Sequence, residues 1–251
     1  MLDDKLELLL RLGDTTLVLS QRLTEWCGKA PALEEDMALA NVALDLMGQS
    51  RMWLSYAAQV QDAGQDEDSL AFLRDAHDFR NMLLAEQPNG SYADTTTRQF
   101  FFDAWHHLTL EALTKSADGR IAEIAEKALK EVQYHLRRSS DLMVRLGDGT
   151  QESHRRMQAA VDDLWMYTGE LFTSDEVDQV LSAQCISAEP ASLRSAWLSH
   201  VRLILDEATL VMPAPDAWMQ SGGKQGRHGE ALGYLLAEMQ FLQRAYPGAR
   251  W

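Results

Sequence analysis

Apolar residues recur along most of this chain at the three- and four-residue spacing of a helix face, and the interruptions fall where turn formers cluster. All six prolines (Pro31, Pro88, Pro190, Pro213, Pro215, Pro247) stand between periodic segments or at their edges. An interior proline costs a helix about 3 kcal/mol, so this placement permits long helices. Alternating Val/Ile/Thr runs bracketed by hairpin turns are nearly missing. The pattern predicts an all-α protein.

A first helix is expected from about Leu2 to Glu25, with Cys27 and Gly28 closing it ahead of Pro31. The second, from about Leu33 to Ala63, carries Leu39, Val42, Ala43, Leu46 and Met47; apolar residues on nearly all its sides predict a helix surrounded by others, stopped by Gly64. A shorter helix is expected from Glu67 to Ala85, before the turn-rich EQPNGSYADT. Asp94 should cap a helix through Phe100, Phe101, Ala104, Trp105 and Leu108 to about Ala117. Asp118 should cap another reaching Leu146, roughly 40 Å long at 1.5 Å per residue. Thr150 then opens a helix with Met157, Val161, Leu164 and Trp165 on one face, Ser174 caps a short one, and Pro190 starts another through Leu193, Trp197, Val201 and Leu205. Residues from Pro213 to Arg227 read as loop, and a final helix runs from His228 to about Ala245. Four long elements have the proportions of a helical bundle. With no internal repeat or low-complexity linker, one domain over 1–251 is expected: a core bundle of about 1–149 and additional C-terminal helices over about 150–251.

Charge narrows the partners. A formal net charge of −15 in 251 residues lacks the cationic surface that nucleic acid requires and is repelled by anionic membranes. Cys27 and Cys185 lie far apart, without CxxC or Cys/His spacing, and suit a reducing compartment. The opening MLDDKLELLLRLGD is acidic and too short in its apolar run for a signal peptide. No stretch approaches about 20 uncharged apolar residues. A cytoplasmic protein is expected.

Nucleophile motifs are absent. The glycine-rich SGGKQGRHGE (221–230), with Lys224 and Arg227, could cradle an anion at a helix N-terminus; without a closing GK[ST] or a preceding strand it is not a P-loop. More informative are Asp45, Asp103, His106, Glu131 and His135, polar residues on helices that read as buried. A buried carboxylate must be paired, neutralised or metal-bound. In a four-helix bundle the two common outcomes are a di-iron site built from carboxylates and Glu-x-x-His pairs or a hydrogen-bonded network of the same residues.

At these residues the chain resembles a known family. The blocks SQRLTEWCGKAP, ALANVALDLMGQSR, LLAEQPNGSYADT, RQFFFDAWHH, KEVQYHLRRS and GGKQGRHGEALGYLLAEMQFLQR stand in the order found among the C subunits of bacterial 1,2-phenylacetyl-CoA epoxidases, and the resemblance spans essentially the whole chain. It implies a ferritin-like four-helix bundle core with additional C-terminal helices. It also implies a structural, non-catalytic role beside a related catalytic subunit that carries a di-iron centre, with electrons supplied by a reductase holding flavin and iron–sulfur cofactors. The reaction implied is epoxidation of the aromatic ring of phenylacetyl-CoA by dioxygen in phenylacetate degradation. The partners implied are the catalytic subunit and the other epoxidase subunits. Self-association of the isolated chain stays open.

Set against the catalytic relative's pattern, the stretch Asp45-Leu46-Met47-Gly48-Gln49 has Leu46 at a ligand glutamate and Gln49 at the ligand histidine. The Glu-x-x-His of the long fourth helix becomes Val132-Gln133-Tyr134-His135, where only His135 survives. Asp103 matches a ligand aspartate, and Thr16 falls at the first-helix glutamate, in a less secure stretch. Leucine and valine have no donor atom, and two divalent irons bring about four positive charges that carboxylates normally offset. Asp45 and Glu131 each stand one residue from a lost glutamate, about 100° around the helix, so neither substitutes directly. No cofactor, metal or catalytic residue is therefore expected in this chain. The residues Gly222, Gly223, Lys224, Gly226, Arg227, His228 and Glu230 of the signature loop are expected at an interface. Two rival expectations are a di-iron ferritin-like oxygenase with an atypical ligand set, and a helical protein lending Lys224 or Arg227 to a CoA-thioester pocket in its partner. Trp105, Trp165 and Trp197 read as core, and Arg137-Arg138 and Arg155-Arg156 as solvated or ion-paired faces.

Overall fold

A computed structural model describes residues 2–214 and 216–249; Pro215, in the predicted 213–227 loop, lies outside the described residues. All regular structure among the described residues is helical. The chain divides into two compact units: Met1–Pro88 with Gly222–Trp251, and Asn89–Ser221. The sequence predicts one domain over 1–251, with a core bundle of about 1–149.

In the first unit, α1 (Leu2–Thr24) and α2 (Leu33–Gln61) pack along each other. Hydroxyls stitch them together, Ser20 Oγ donating to the Ala43 carbonyl at 2.7 Å and Ser50 Oγ to that of Gly13 at 2.9 Å. Gly13 permits this approach, because a Cβ there would lie 2.6 Å from the Leu54 side chain. Helix α2 ends at Asp62, whose backbone turns left-handed two residues before Gly64.

The helix expected over 67–85 is broken. Asp66 caps α3 (Glu67–Phe72) by accepting from the Ser69 amide. A 3-10 turn at Ala76–Asp78 and the short α4 (Leu83–Glu86) follow. The cause lies on α1. Buried Asp14 binds the Arg74 guanidinium through both oxygens and takes the Arg80 amide at 2.8 Å, while Thr15 Oγ1 takes the Met82 amide at 3.1 Å. Side-chain acceptors 60 to 67 residues away thus replace the i−4 carbonyls that a continuous helix would use.

The expected final helix is likewise split, into α10 (Glu230–Met239) and α11 (Phe241–Ala245). At the break, the buried Gln240 amide donates to the carbonyls of Ala71 and Arg74, both at 3.0 Å. The expectation that α2 is surrounded on all sides is corrected: Leu33, Met37 and Leu44 are 72, 60 and 67% exposed.

In the second unit, α5 (Tyr92–Leu113) lies along α6 (Gly119–Gly147), and α7 (Gln151–Trp165) and α9 (Pro190–Glu207) pack on both. Asp118 caps α6 through the Arg120 and Ile121 amides and Thr150 caps α7, as the sequence predicts. Two caps shift. Ser91 starts α5, with Asp94 as its reciprocal partner in the box, and Asp175 starts α8 (Glu176–Ala183) in place of Ser174. The core is aromatic: Trp197 lies 5.6 Å from Trp165 and 5.8 Å from Phe101 between ring centroids. Trp197 Nε1 donates to the Phe101 carbonyl and Trp105 Nε1 to that of Leu171, both at 3.1 Å, so the predicted tryptophans are core. Arg155 and Arg156 pair with Glu152 on the exposed face of α7. Among the described residues no helix is long and apolar enough to cross a membrane. Cys27 and Cys185 are both free and exposed.

Candidate functional site

Inward-facing polar residues of each unit define what chemistry the chain can do. In the second unit, Asp103 of α5 is fully buried. Its Oδ2 accepts from Ser139 Oγ of α6 at 2.8 Å, and its Oδ1 accepts from Gln99 Nε2, one turn back on α5, at 2.6 Å. Burial raises the Asp103 carboxyl from the ordinary 3.8 to about 6, opposed by the charge of His135, by the Ser139 and Gln99 hydrogen bonds and by Arg138. Buried His135, a turn before Ser139 on α6, is the principal counter-charge. Val132 of the same helix is buried with no donor atom to offer.

Next along α5, His106 is 1% exposed and sits against aromatic rings, 4.8 Å from the Phe102 centroid and 6.0 Å from that of Trp105. Burial depresses it to about 3, helped by repulsion from His135 and His107. It is a neutral ring at ordinary pH, and neither nitrogen has a hydrogen-bond partner among the described residues.

In the first unit, Thr16, Leu46 and Gln49 are all buried. Thr16 Oγ1 donates to the carbonyls of its own helix, Leu12 at 2.8 Å and Gly13 at 3.1 Å. Leu46 offers hydrocarbon. Asp45 and Glu131, read from sequence as buried, are only half-buried.

A di-iron centre asks for about four carboxylates and two histidines on inward faces. The six positions matched to those ligands in sequence, three in each unit, present one carboxylate, one imidazole, an amide, a hydroxyl already bonded to its own helix, and two alkyl groups. They do not fit that group. Among the described residues no cluster of three or more His, Cys, Asp or Glu is placed to hold any metal ion.

The signature loop has a definite place in the first unit. Gly222 and Gly226 take positive φ, 145° and 71°, and flank a 3-10 turn at Gly223–Gln225. Gly222, Gly223 and Lys224 are buried, while Arg227 and Glu230 are exposed. A side chain at Gly226 would overlap the His77 carbonyl oxygen, so the loop is pressed against the 77–80 turn. The anchor is Glu86, fully buried. It accepts from His228 Nδ1 at 2.8 Å, Asn81 Nδ2 at 3.0 Å and the Gly229 amide at 2.6 Å. Arg22 of α1 holds the Glu86 carbonyl at 2.8 Å and that of Ala231 at 3.0 Å.

The group at this helix N-terminus, where an anion could be cradled, is a carboxylate of the chain itself, seated at the start of α10 where the Gly229 amide and the helix dipole favour it. Sequence reasoning passed over Glu86, Asn81 and Arg22. The available signal was a lone glutamate closing the apolar run Leu83-Leu84-Ala85, which are all buried.

Residues 2–251 match the family described as phenylacetic acid catabolic protein. The chain is similar to the C subunit of the 1,2-phenylacetyl-CoA epoxidase of Escherichia coli (strain K12), 54% identical over 242 residues that cover 96% of this chain and 97% of that protein.

Proposed function

Since the chain belongs to the phenylacetic acid catabolic protein family, we propose that it is a non-catalytic structural subunit of a multicomponent phenylacetyl-CoA epoxidase. In that role it pairs with and stabilises a related, ligand-complete helical subunit that carries the di-iron centre, itself reduced by a flavin and iron–sulfur reductase. A ferritin-like reading of the fold is supported by the long helix pair α1/α2 in the first unit and the long pair α5/α6 in the second. The observation that carries the reading is hydrocarbon at Leu46 and Val132, both buried, where a di-iron ligand set needs carboxylate oxygen. Without those atoms the chain can lend a helical surface to a partner but has no means of holding an oxidising metal pair.

Quantitative iron analysis of the isolated chain, after anaerobic loading with ferrous salt and desalting, tests this. The expected result is far below one iron per chain and no dioxygen consumption, with iron found only once the catalytic partner copurifies. Two irons per isolated chain would restore the rival di-iron reading.

A further inference from the structure

His228 turns both of its ring nitrogens toward acceptors. Nδ1 lies 2.8 Å from Glu86 Oε2, and Nε2 lies 3.0 Å from the Phe79 carbonyl oxygen. The two side chains are enclosed, that of His228 4% exposed and that of Glu86 not at all. A carbonyl oxygen has no proton to give, so Nε2 must donate. One further proton has to lie between Nδ1 and Glu86, and the surroundings decide which of them carries it. Glu86 already receives the Gly229 amide at 2.6 Å on Oε1 and Asn81 Nδ2 at 3.0 Å on Oε2. Oxygens that take so many N–H donors are served best as a carboxylate, which leaves the proton on the ring. A neutral imidazole has only one N–H, and beside a carboxylate it would set a lone pair against oxygen at one of its two contacts.

The charged groups on the surrounding elements do not compete for that role. Arg80, of the 77–80 turn, shares the Phe79 carbonyl with the ring, but it is paired with Glu7 of α1 at 3.3 Å. Arg22 of α1 holds the Glu86 carbonyl and is paired with Glu25 at 2.8 Å. His77 and Asp78 of the turn pair with each other at 3.3 Å. Lys224, Arg227 and Glu230 lie along the segment of His228 itself. Glu86, in hydrogen-bond contact, is the counter-charge.

The place of the pair gives it a consequence. Glu86 belongs to the opening segment of the first unit and His228 to its closing segment, 142 residues later. We propose that His228 is held as an imidazolium whose proton closes a clasp between the two ends of the chain, and that the clasp opens locally around Gly229 when the proton leaves. Released into water, a histidine loses its proton at about pH 6.5; against Glu86 the ring keeps it to higher pH. Below about pH 6.5 the open and closed forms carry the same proton and the clasp has its full strength. Above it, closing requires proton uptake. The clasp then weakens by up to about tenfold per pH unit until the clasped ring itself titrates, and is level beyond.

The test is made on the full-length chain. Long-range proton–nitrogen spectra should show both nitrogens of His228 protonated at about pH 7.5, where a free histidine is neutral. Hydrogen exchange of the Gly229 amide, corrected for its intrinsic rate, should lose protection by up to about 50-fold from pH 6.5 to 8.5. Glu86→Gln offers Nδ1 an amide donor, so its His228 ring should be neutral at about pH 7.5 and its Gly229 protection level across the range. His228→Gln, which cannot titrate, should also give level protection. The wild-type spectra need no variant, so the proposal can fail even if neither variant folds. A neutral wild-type ring at pH 7.5 or level wild-type protection overturns it. So does an undiminished slope in His228→Gln, or a ring still doubly protonated in Glu86→Gln.

Discussion

Asp103 carries its charge in a place that resists it. Ser139 and Gln99 give it two hydrogen bonds and His135 a counter-charge, yet burial outweighs them and lifts the carboxyl to about 6. The folded chain therefore keeps a proton between pH 3.8 and about 6 that the unfolded chain has released. Stability falls as pH rises through that window and is level above it. The full effect is roughly 3 kcal/mol, of which about 2 kcal/mol falls between pH 4.5 and 7.5. Asp103→Asn keeps an acceptor for Ser139 without the charge. In urea titrations its stability relative to wild type should improve by about 2 kcal/mol on going from pH 4.5 to 7.5; a pH-independent difference would mean that Asp103 does not titrate there. The side-chain types at positions 46, 103, 132 and 135 were legible in the sequence, and so was the missing donor chemistry. The partners were not: Ser139 meets Asp103 only because α5 and α6 lie in one particular register.

At the scale of elements, local signals read well and distant ones did not. Asp118 and Thr150 caps, Pro190 at the start of α9 and the ends of α1 and α2 follow from neighbours in sequence. The breaks at 73–82 and at Gln240 come instead from acceptors on other elements, Asp14 and Thr15 in one case and the Ala71 and Arg74 carbonyls in the other. The signature loop shows the same division. Its glycines announce a turn, but only the structure reveals that Glu86 receives it. Gly226→Ala should lower the unfolding free energy by about 3 kcal/mol or more, combining strain at positive φ with a clash against the His77 carbonyl. Gly64→Ala, at φ 72° with open space around it, isolates the backbone share and should cost only about 1 kcal/mol. Equal costs in thermal or chemical melts would show that the loop is not pressed onto the 77–80 turn.

For the molecule as a whole, the excess of acid sets the terms of association. At −15, copies of the chain repel over about a Debye length, 10 Å at 0.1 M salt and longer below it. The isolated chain should sediment as a monomer at low ionic strength, with any self-association growing as salt is added. Sedimentation velocity across a salt series reads that slope, and a homodimer tightest at low salt would contradict this picture. One further consequence comes from the first unit being assembled from both ends of the chain. Its opening segment, through Pro88, leaves the ribosome long before His228 and Gly229 exist to engage Glu86. During synthesis the contiguous second unit can complete itself while that buried glutamate still waits for its donors, so the nascent chain matures from the middle outward.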